Sequence, residues 1–318
     1  MEKIEPDLRK ITLCNEHRNA GFNETEERSS MKILANKTAV VTGAASGIGR
    51  MLAVNLSLEG CNLALADINA AELTETARQI GSLRRVTTHI VDVASREQVF
   101  QFAEEAVKLH GSIDLVINNA GVVVVDLLDS VPLADFEWLM SVNFWGVVYG
   151  TMAFLPYLKK QPEGHIINIS SVNGILPLPN NGPYCAAKFA VRGYTESLAQ
   201  EMAETNIEVS CVHPGGIKTG IFRTARLNRF LGNMTAAKAC KVFEEDVCRT
   251  TADKAAKIII AGIKRGKKRI LVGTDAKILD LLTRLFPVAA VSLVALFVRR
   301  RIQTKTKTQE RAKRSFRK

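Results

Sequence analysis

The chain has 318 residues, 47% of them apolar and 24% charged, a balance that belongs to a globular protein with room for one large α/β domain or two smaller ones. Of its formal net charge of +11, residues 299–318 hold nearly all, with ten Lys or Arg against the single acid Glu310. The remaining body is close to neutral, which argues against a nucleic-acid groove built into the fold, because such a groove needs clustered cations on a structured face.

Residues 1–36 mix charges without apolar periodicity and read as a flexible extension. They lack the cationic segment and apolar run of a secretory signal, so a cytoplasmic protein is expected. Six cysteines fit that compartment as reduced thiols. No CxxC pair or His-rich neighbourhood accompanies them, and no metal site is expected.

From Lys37 onward, short β-branched runs alternate with helix-length amphipathic stretches. The runs are KTAVVT, CNLALAD, RVTTHIVD, SIDLVIN, GHIINIS, IEVSCV and RILVG. Seven apolar strands separated by helices predict a doubly wound, Rossmann-type parallel sheet covered on both faces. Residues 37–275 form this domain, with no composition break inside it.

Where the first strand meets the first helix stands TGAASGIG, residues 42–49. Gly43 permits a tight turn, Gly47 lets backbone amides approach a pyrophosphate, and Gly49 lets helix pack on strand. Asp67 closes the second strand, where its carboxylate can accept from both adenosine ribose hydroxyls and would repel a 2′-phosphate. Ser46 and Ile68 are neutral where a phosphate-preferring site wants a cation, so NAD is expected rather than NADP. The plainer reading of Asp67 is an N-cap for the next helix. Asp92, ending the third strand, is placed to contact the adenine amino group or to cap the helix beginning near Ser95.

Further along, NNAG occupies residues 118–121 after the fourth strand, and Asn143 lies in the SVNFWG stretch of a long helix. Ser171 follows the fifth strand, thirteen residues before Tyr184. Tyr184 and Lys188 sit at i and i+4 of a helix beginning near Gly182, so one face carries both. A free phenol has a pKa of about 10, too high for proton abstraction at neutral pH, and a neighbouring ammonium lowers it. Alone, such a pair is more often a surface Tyr beside a solvated Lys.

Taken together, TGxxxGxG, NNAG, the serine and YxxxK resemble the short-chain dehydrogenase/reductase family in its single-domain form, over about residues 37–273. The resemblance implies Tyr184 as the general acid/base, Ser171 as the hydroxyl that orients the substrate oxygen, and Lys188 as a ligand of the nicotinamide ribose. Asn143 would hold a water linking Lys188 to solvent. Cofactor contacts are implied along the first loop at Thr42, Gly43, Ser46, Gly47, Ile48 and Gly49, then at Asp67, Asp92 and Val93. Asn119, Ala120 and Gly121 join them from the NNAG segment, beside Tyr184 and Lys188 themselves. In PGGIKT, Pro214 and Gly215 complete the set, with Ile217 and Thr219 against the carboxamide.

What results is an oxidoreductase acting on a CH–OH group. A non-catalytic NAD-sensing regulator on the same fold is the alternative, disfavoured because Asn143, Ser171, Tyr184 and Lys188 are all present. Residues 122–128, 174–183 and 220–250 are expected to line the substrate pocket. Ile175, Leu176, Leu178 and the valines favour a lipophilic alcohol or ketone, such as a steroid, retinoid or fatty chain, with burial in the core as the rival. Arg223, Arg226 and Arg229 are read as solvated charges on a lid, or as partners for an acidic substrate group.

The helix over residues 144–158 is apolar on nearly every face, which predicts a homodimer or homotetramer joined through it and the Tyr184 helix. Residues 276–318 stand outside the resemblance. The run 285–298 is apolar but for Ser292 and too short for a simple span, at about 21 Å against a hydrocarbon core of about 30 Å. It reads as an interfacial helix on an anionic membrane, aided by the basic tail, or as a buried helix roofing the pocket.

Overall fold

The computed structural model describes residues 31–223, 225–227, 235, 241 and 248–296. Seven parallel strands form one sheet: β1 (Thr38–Thr42), β2 (Asn62–Asp67), β3 (Val86–Ile90), β4 (Leu115–Asn118), β5 (Gly164–Ile169), β6 (Ile207–Pro214) and β7 (Arg269–Val272). Their order is β7-β6-β5-β4-β1-β2-β3. All seven sequence-predicted strands are present. β1 and β4 are neighbours although β2 and β3 intervene in the chain, so the order reverses there. At such a switch point the loops leaving the carboxyl ends part and open a crevice.

The helices cover both faces: α1 (Gly47–Leu58), α2 (Ala70–Ile80), α3 (Arg96–His110), α4 (Leu133–Leu158), α5 (Gly182–Glu201) and α6 (Ala252–Ile263). One core layer joins Val41, Leu52, Leu63, Ile117, Ile259 and Ile270, and the other joins Val40, Phe102, Val116, Phe154 and Ile166. Alternate residues of the same strands thus feed opposite faces, which explains their unbroken apolar runs.

Three boundaries differ from the sequence reading. The described body begins before Lys37, since Met31 and Leu34 are buried in the core; residues 1–30 of the expected extension lie outside the described residues. The long helix α4 contains a π turn over Ser141–Trp145, and Val147, Thr151, Phe154 and Leu158 are buried in the domain, so much of its apolar surface is intramolecular. The C-terminal segment forms two helices, α7 (Thr274–Leu285) and α8 (Pro287–Leu296), so the apolar run 285–298 starts on the last residue of α7 and continues as α8. Phe286 leaves helical geometry at φ −135° and ψ 68°, because the residue before a proline is pushed out of the α region. Phe297, Val298 and the basic tail lie outside the described residues.

Candidate active site

At the β1–α1 loop, glycine is required for space as well as conformation. A Cβ on Gly49 would overlap the Gly43 carbonyl, and one on Gly43, itself at φ +66°, would press on Ala120. The NNAG segment locks this loop from below. Asn119 N–H and Ala120 N–H both donate to Thr42 Oγ1, at 3.0 and 3.1 Å, and Asn119 Nδ2 donates to the carbonyls of Thr42 and Gly43 at 3.0 and 3.2 Å. Thr42 and Asn119 therefore shape the loop with side chains already committed to it. Asn118 ties the same corner to Asn168 and Thr151 at 2.9 and 3.2 Å.

No side chain caps the first turn of α1, where Ser46 is exposed, Gly47 has φ +55° and Ile48 packs inward. Its leading amides have no helical partners, and with the close backbone approach this makes a cradle suited to a pyrophosphate. A Cβ on Gly47 would meet Thr219 at 3.1 Å, so the loop and the PGGIKT segment face each other across a narrow gap.

Asp67 ends β2 beside that cradle. Its Oδ2 accepts Ala45 N–H at 2.9 Å and its Oδ1 accepts Asn69 N–H at 3.0 Å, which fixes the carboxylate and leaves outer lone pairs for further donors. The N-cap of α2 is Asn69, bonded to Glu72 N–H at 3.1 Å. Ser95 likewise caps α3, while exposed Asp92 accepts Ala94 N–H at 2.9 Å. Val93 is buried against Gly146.

At the chemical end, α5 presents Tyr184 and Lys188 from one face, with Lys188 Nζ 5.7 Å from the centre of the Tyr184 ring. Lys188 is buried and donates to Ile169 O at 2.9 Å. Burial draws its pKa down to about 8. Burial also pushes the Tyr184 phenol up to about 12, against the opposing pull of its hydrogen bond with Ser171. Ser171 Oγ additionally accepts Asn173 N–H at 3.1 Å. Tyr184 and Ser171 thus present two bonded hydroxyls, with the lysine beside the ring.

Asn143 sits in the π turn of α4, a distortion that often accompanies function. Its Oδ1 accepts Val122 N–H at 2.7 Å and its Nδ2 donates to Val122 O at 2.9 Å. Gly121 lies between this amide and the lysine. A Cβ there would stand 3.3 Å from Asn143 Oδ1 and 3.7 Å from Lys188 Nζ. The structure thus gathers Asn143, Ser171, Tyr184, Lys188 and Gly121 at the crevice.

Several residues around this centre were not singled out in the sequence. Buried His213 has Nδ1 3.1 Å from the Ser171 carbonyl, and burial draws its pKa down to about 4. A neutral ring facing a carbonyl must carry its proton on Nδ1, so His213 donates and holds the serine's backbone. Asp275, in the first turn of α7, accepts Gly216 N–H at 2.6 Å through Oδ2. Pro214 ends β6, Gly215 packs on that carboxylate, and Ile217 is buried. The second glycine of PGGIKT, Gly216, is therefore the donor that this contact uses.

On the substrate side, residues 226–227 pair in parallel with Val124 and Val125. Val123, Val125, Tyr184, Ile221, Phe222, Ala225 and Leu227 form an apolar cluster. Val123 and Val125 are buried within it, and Val124, Ile175 and Leu176 are buried as well, as the core reading of those segments requires. Arg226 is exposed, as a solvated charge would be, and it also lies 3.7 Å over the Trp138 ring and bonds Asp135 at 2.6 Å. The Arg223 side chain and Arg229 lie outside the described residues.

Residues 37–229 match the family model of the short chain dehydrogenases. Over 268 residues the chain is 42% identical to SadH of Mycobacterium tuberculosis, a protein named as an oxidoreductase, covering 83% of this chain and 96% of that one. A solved short-chain dehydrogenase/reductase from Burkholderia phymatum, in complex with NAD, superposes with a TM-score of 0.72 at 29% identity, covering 79% and 94% of the two chains. An alcohol dehydrogenase from Thermococcus sibiricus, complexed with 5-hydroxy-NADP, shares the fold, with a TM-score of 0.64 at 24% identity, covering 74% and 95% of the two chains.

Proposed function

This chain belongs to the short-chain dehydrogenase family of oxidoreductases, and from that premise we propose an NAD-dependent enzyme that interconverts a lipophilic secondary alcohol with its ketone, or an alcohol with an aldehyde. The observation that carries the reading is Tyr184, hydrogen-bonded to Ser171 with Lys188 behind its ring and an apolar cluster beside it.

The cradle at residues 42–49 and the anchored carboxylate of Asp67 fit a dinucleotide. Arg50, the cation that follows the loop, is bonded to Glu72 at 2.6 Å and to Thr76 at 2.9 Å, which supports NAD over a phosphorylated cofactor that would need a free cation. Bound nicotinamide supplies the acceptor or donor of hydride. In the proposed chemistry Ser171 Oγ–H orients the substrate oxygen and Tyr184 Oη takes or returns its proton. Lys188, when charged, favours the phenolate, and Asn143 stands on the route by which that proton reaches solvent. The apolar cluster of Val123, Val125, Phe222 and Leu227 supports a steroid, retinoid or fatty-chain substrate over a sugar.

Full-length protein with NAD and a panel of lipophilic secondary alcohols, steroids and retinoids tests this through cofactor reduction. Turnover is expected on part of the panel, and Tyr184→Phe should abolish it while cofactor affinity stays within about two-fold. Turnover retained by Tyr184→Phe would remove the assignment, and tight NAD binding with no turnover would favour a sensing role. Exposed Trp145 and Met152 on α4 and Phe189 on α5 support a homodimer or homotetramer through these helices. A monomer in sedimentation velocity would dismiss that assembly.

A further inference from the structure

We propose that the outer face of α7 and α8, which the sequence follows with the basic stretch 299–318, is a docking surface for an anionic lipid bilayer. On α7, Ile278, Leu281 and Leu285 recur at i, i+3 and i+7, and each is more than half exposed. The opposite side of the helix is held to the body. Ala276 and Asp280 are buried, and Asp280 pairs with Arg269 from β7 and with Arg284.

α8 extends the exposed apolar face. Residues 287–296 carry no charge, Ala290 is the one of them that is buried, and Val288 is 81% exposed. An uncharged ten-residue helix is not stable on its own in water, and contiguous apolar surface of this kind marks an interaction site. Its length is about 15 Å, half the thickness of a hydrocarbon core of about 30 Å. Nor can α7 lengthen it into a span, because the pairing of Asp280 with Arg269 of β7 holds that helix on the sheet. The geometry is that of a helix pair lying in an interface.

Charge selects the lipid. The acidic residues between Thr274 and Leu296 are Asp275 and Asp280, and both are bonded inward, to Gly216 and to Arg269. Three arginines follow at 299–301 and seven more cations by Lys318, so the stretch that follows α8 in the sequence is the chain's most basic. An apolar face joined to a polybasic segment matches a bilayer whose headgroups are anionic. The proposal stands independently of the dehydrogenase reading.

Sedimentation of the full chain with phosphatidylserine-containing vesicles, against vesicles of phosphatidylcholine alone, tests it. At least ten-fold tighter association with the anionic vesicles is expected, weakening as salt rises. The double variant Leu281→Glu and Leu293→Glu, at exposed positions, and the triple variant Arg299→Glu, Arg300→Glu and Arg301→Glu should each lose ten-fold or more while melting as the parent does. Equal sedimentation with both vesicle types, or unchanged binding in the leucine variant, would overturn the proposal. So would a leucine variant that turns a dimer into a monomer without any lipid binding by the parent, because the face would then meet a second copy.

Discussion

Asp275 Oδ2 accepts the backbone N–H of Gly216 at 2.6 Å, joining the first turn of the C-terminal helix α7 to the PGGIKT turn at the end of β6. A Cβ on Gly215 would overlap that carboxylate, so the two elements meet with no side chain between them. A charge-assisted hydrogen bond of this length contributes roughly 1.5–3 kcal/mol, and losing it frees the segment that carries Ile217 and Thr219. Asp275→Ala should raise KM for the cofactor roughly ten-fold. Asp275→Asn, which keeps an acceptor oxygen, should recover part of that loss. Steady-state kinetics with varied NAD distinguishes this from a global defect, which would move Tm without the difference between the two variants.

The Gly216 contact could not have been read from the chain alone. Asp275 and Gly216 are 59 residues apart, and a lone Asp after a Gly-Thr pair carries no local signal. Tyr184 and Lys188 were legible because one helical turn separates them, and the strands because burial on both faces writes continuous apolar runs. The break at Phe286 was signalled by Pro287, although the apolar run continues through it. Long-range polar pairs such as Arg226 with Asp135, or His213 with Ser171, depend on how loops return over the sheet, which local periodicity does not encode.

Arg226 holds the short strand over the apolar cluster by lying on Trp138 and bonding Asp135. It touches neither the Tyr184 hydroxyl nor the glycine loop in this arrangement, so its loss should act on substrate capture. A cation–π contact at a partly exposed site is worth about 0.5–1 kcal/mol. Arg226→Ala should therefore raise KM for the alcohol roughly two- to five-fold, with kcat changed by less than about two-fold. A fall in kcat at unchanged KM would mean that the strand does not cover the substrate.

Two buried imidazoles make the fold sensitive to acid. Burial draws His213 down to about 4 and His165 to about 3, from 6.5 in an exposed chain. Below pH 6.5 the unfolded chain takes up a proton at each position that the native form refuses. Their contribution is therefore fully present above pH 6.5, falls as pH drops toward 4 for His213, and falls on toward 3 for His165. The slope is about 1.4 kcal/mol per pH unit for each group. His213→Asn keeps a donor for the Ser171 carbonyl and removes the titration. Its urea-derived stability should lose that much less per unit between pH 6.5 and 4.5, and a slope equal to the parent's would show that His213 titrates normally.

The opposed shifts of Tyr184 and Lys188 set the pH dependence of the proposed chemistry. Burial raises the phenol to about 12 and lowers the ammonium to about 8, so at neutral pH the tyrosine is protonated and the lysine largely charged. Ketone reduction needs the phenol as donor and should be flat through pH 6–8. Alcohol oxidation needs the phenolate, whose population rises about ten-fold per pH unit below its pKa, so kcat/KM should climb with unit slope over the same range. Lys188→Met removes the neighbouring cation, and kcat/KM for oxidation should fall about ten-fold or more across pH 6–8. An oxidation profile already flat from pH 6 to 8 in the parent, or oxidation unchanged by Lys188→Met, would mean that another group takes the proton.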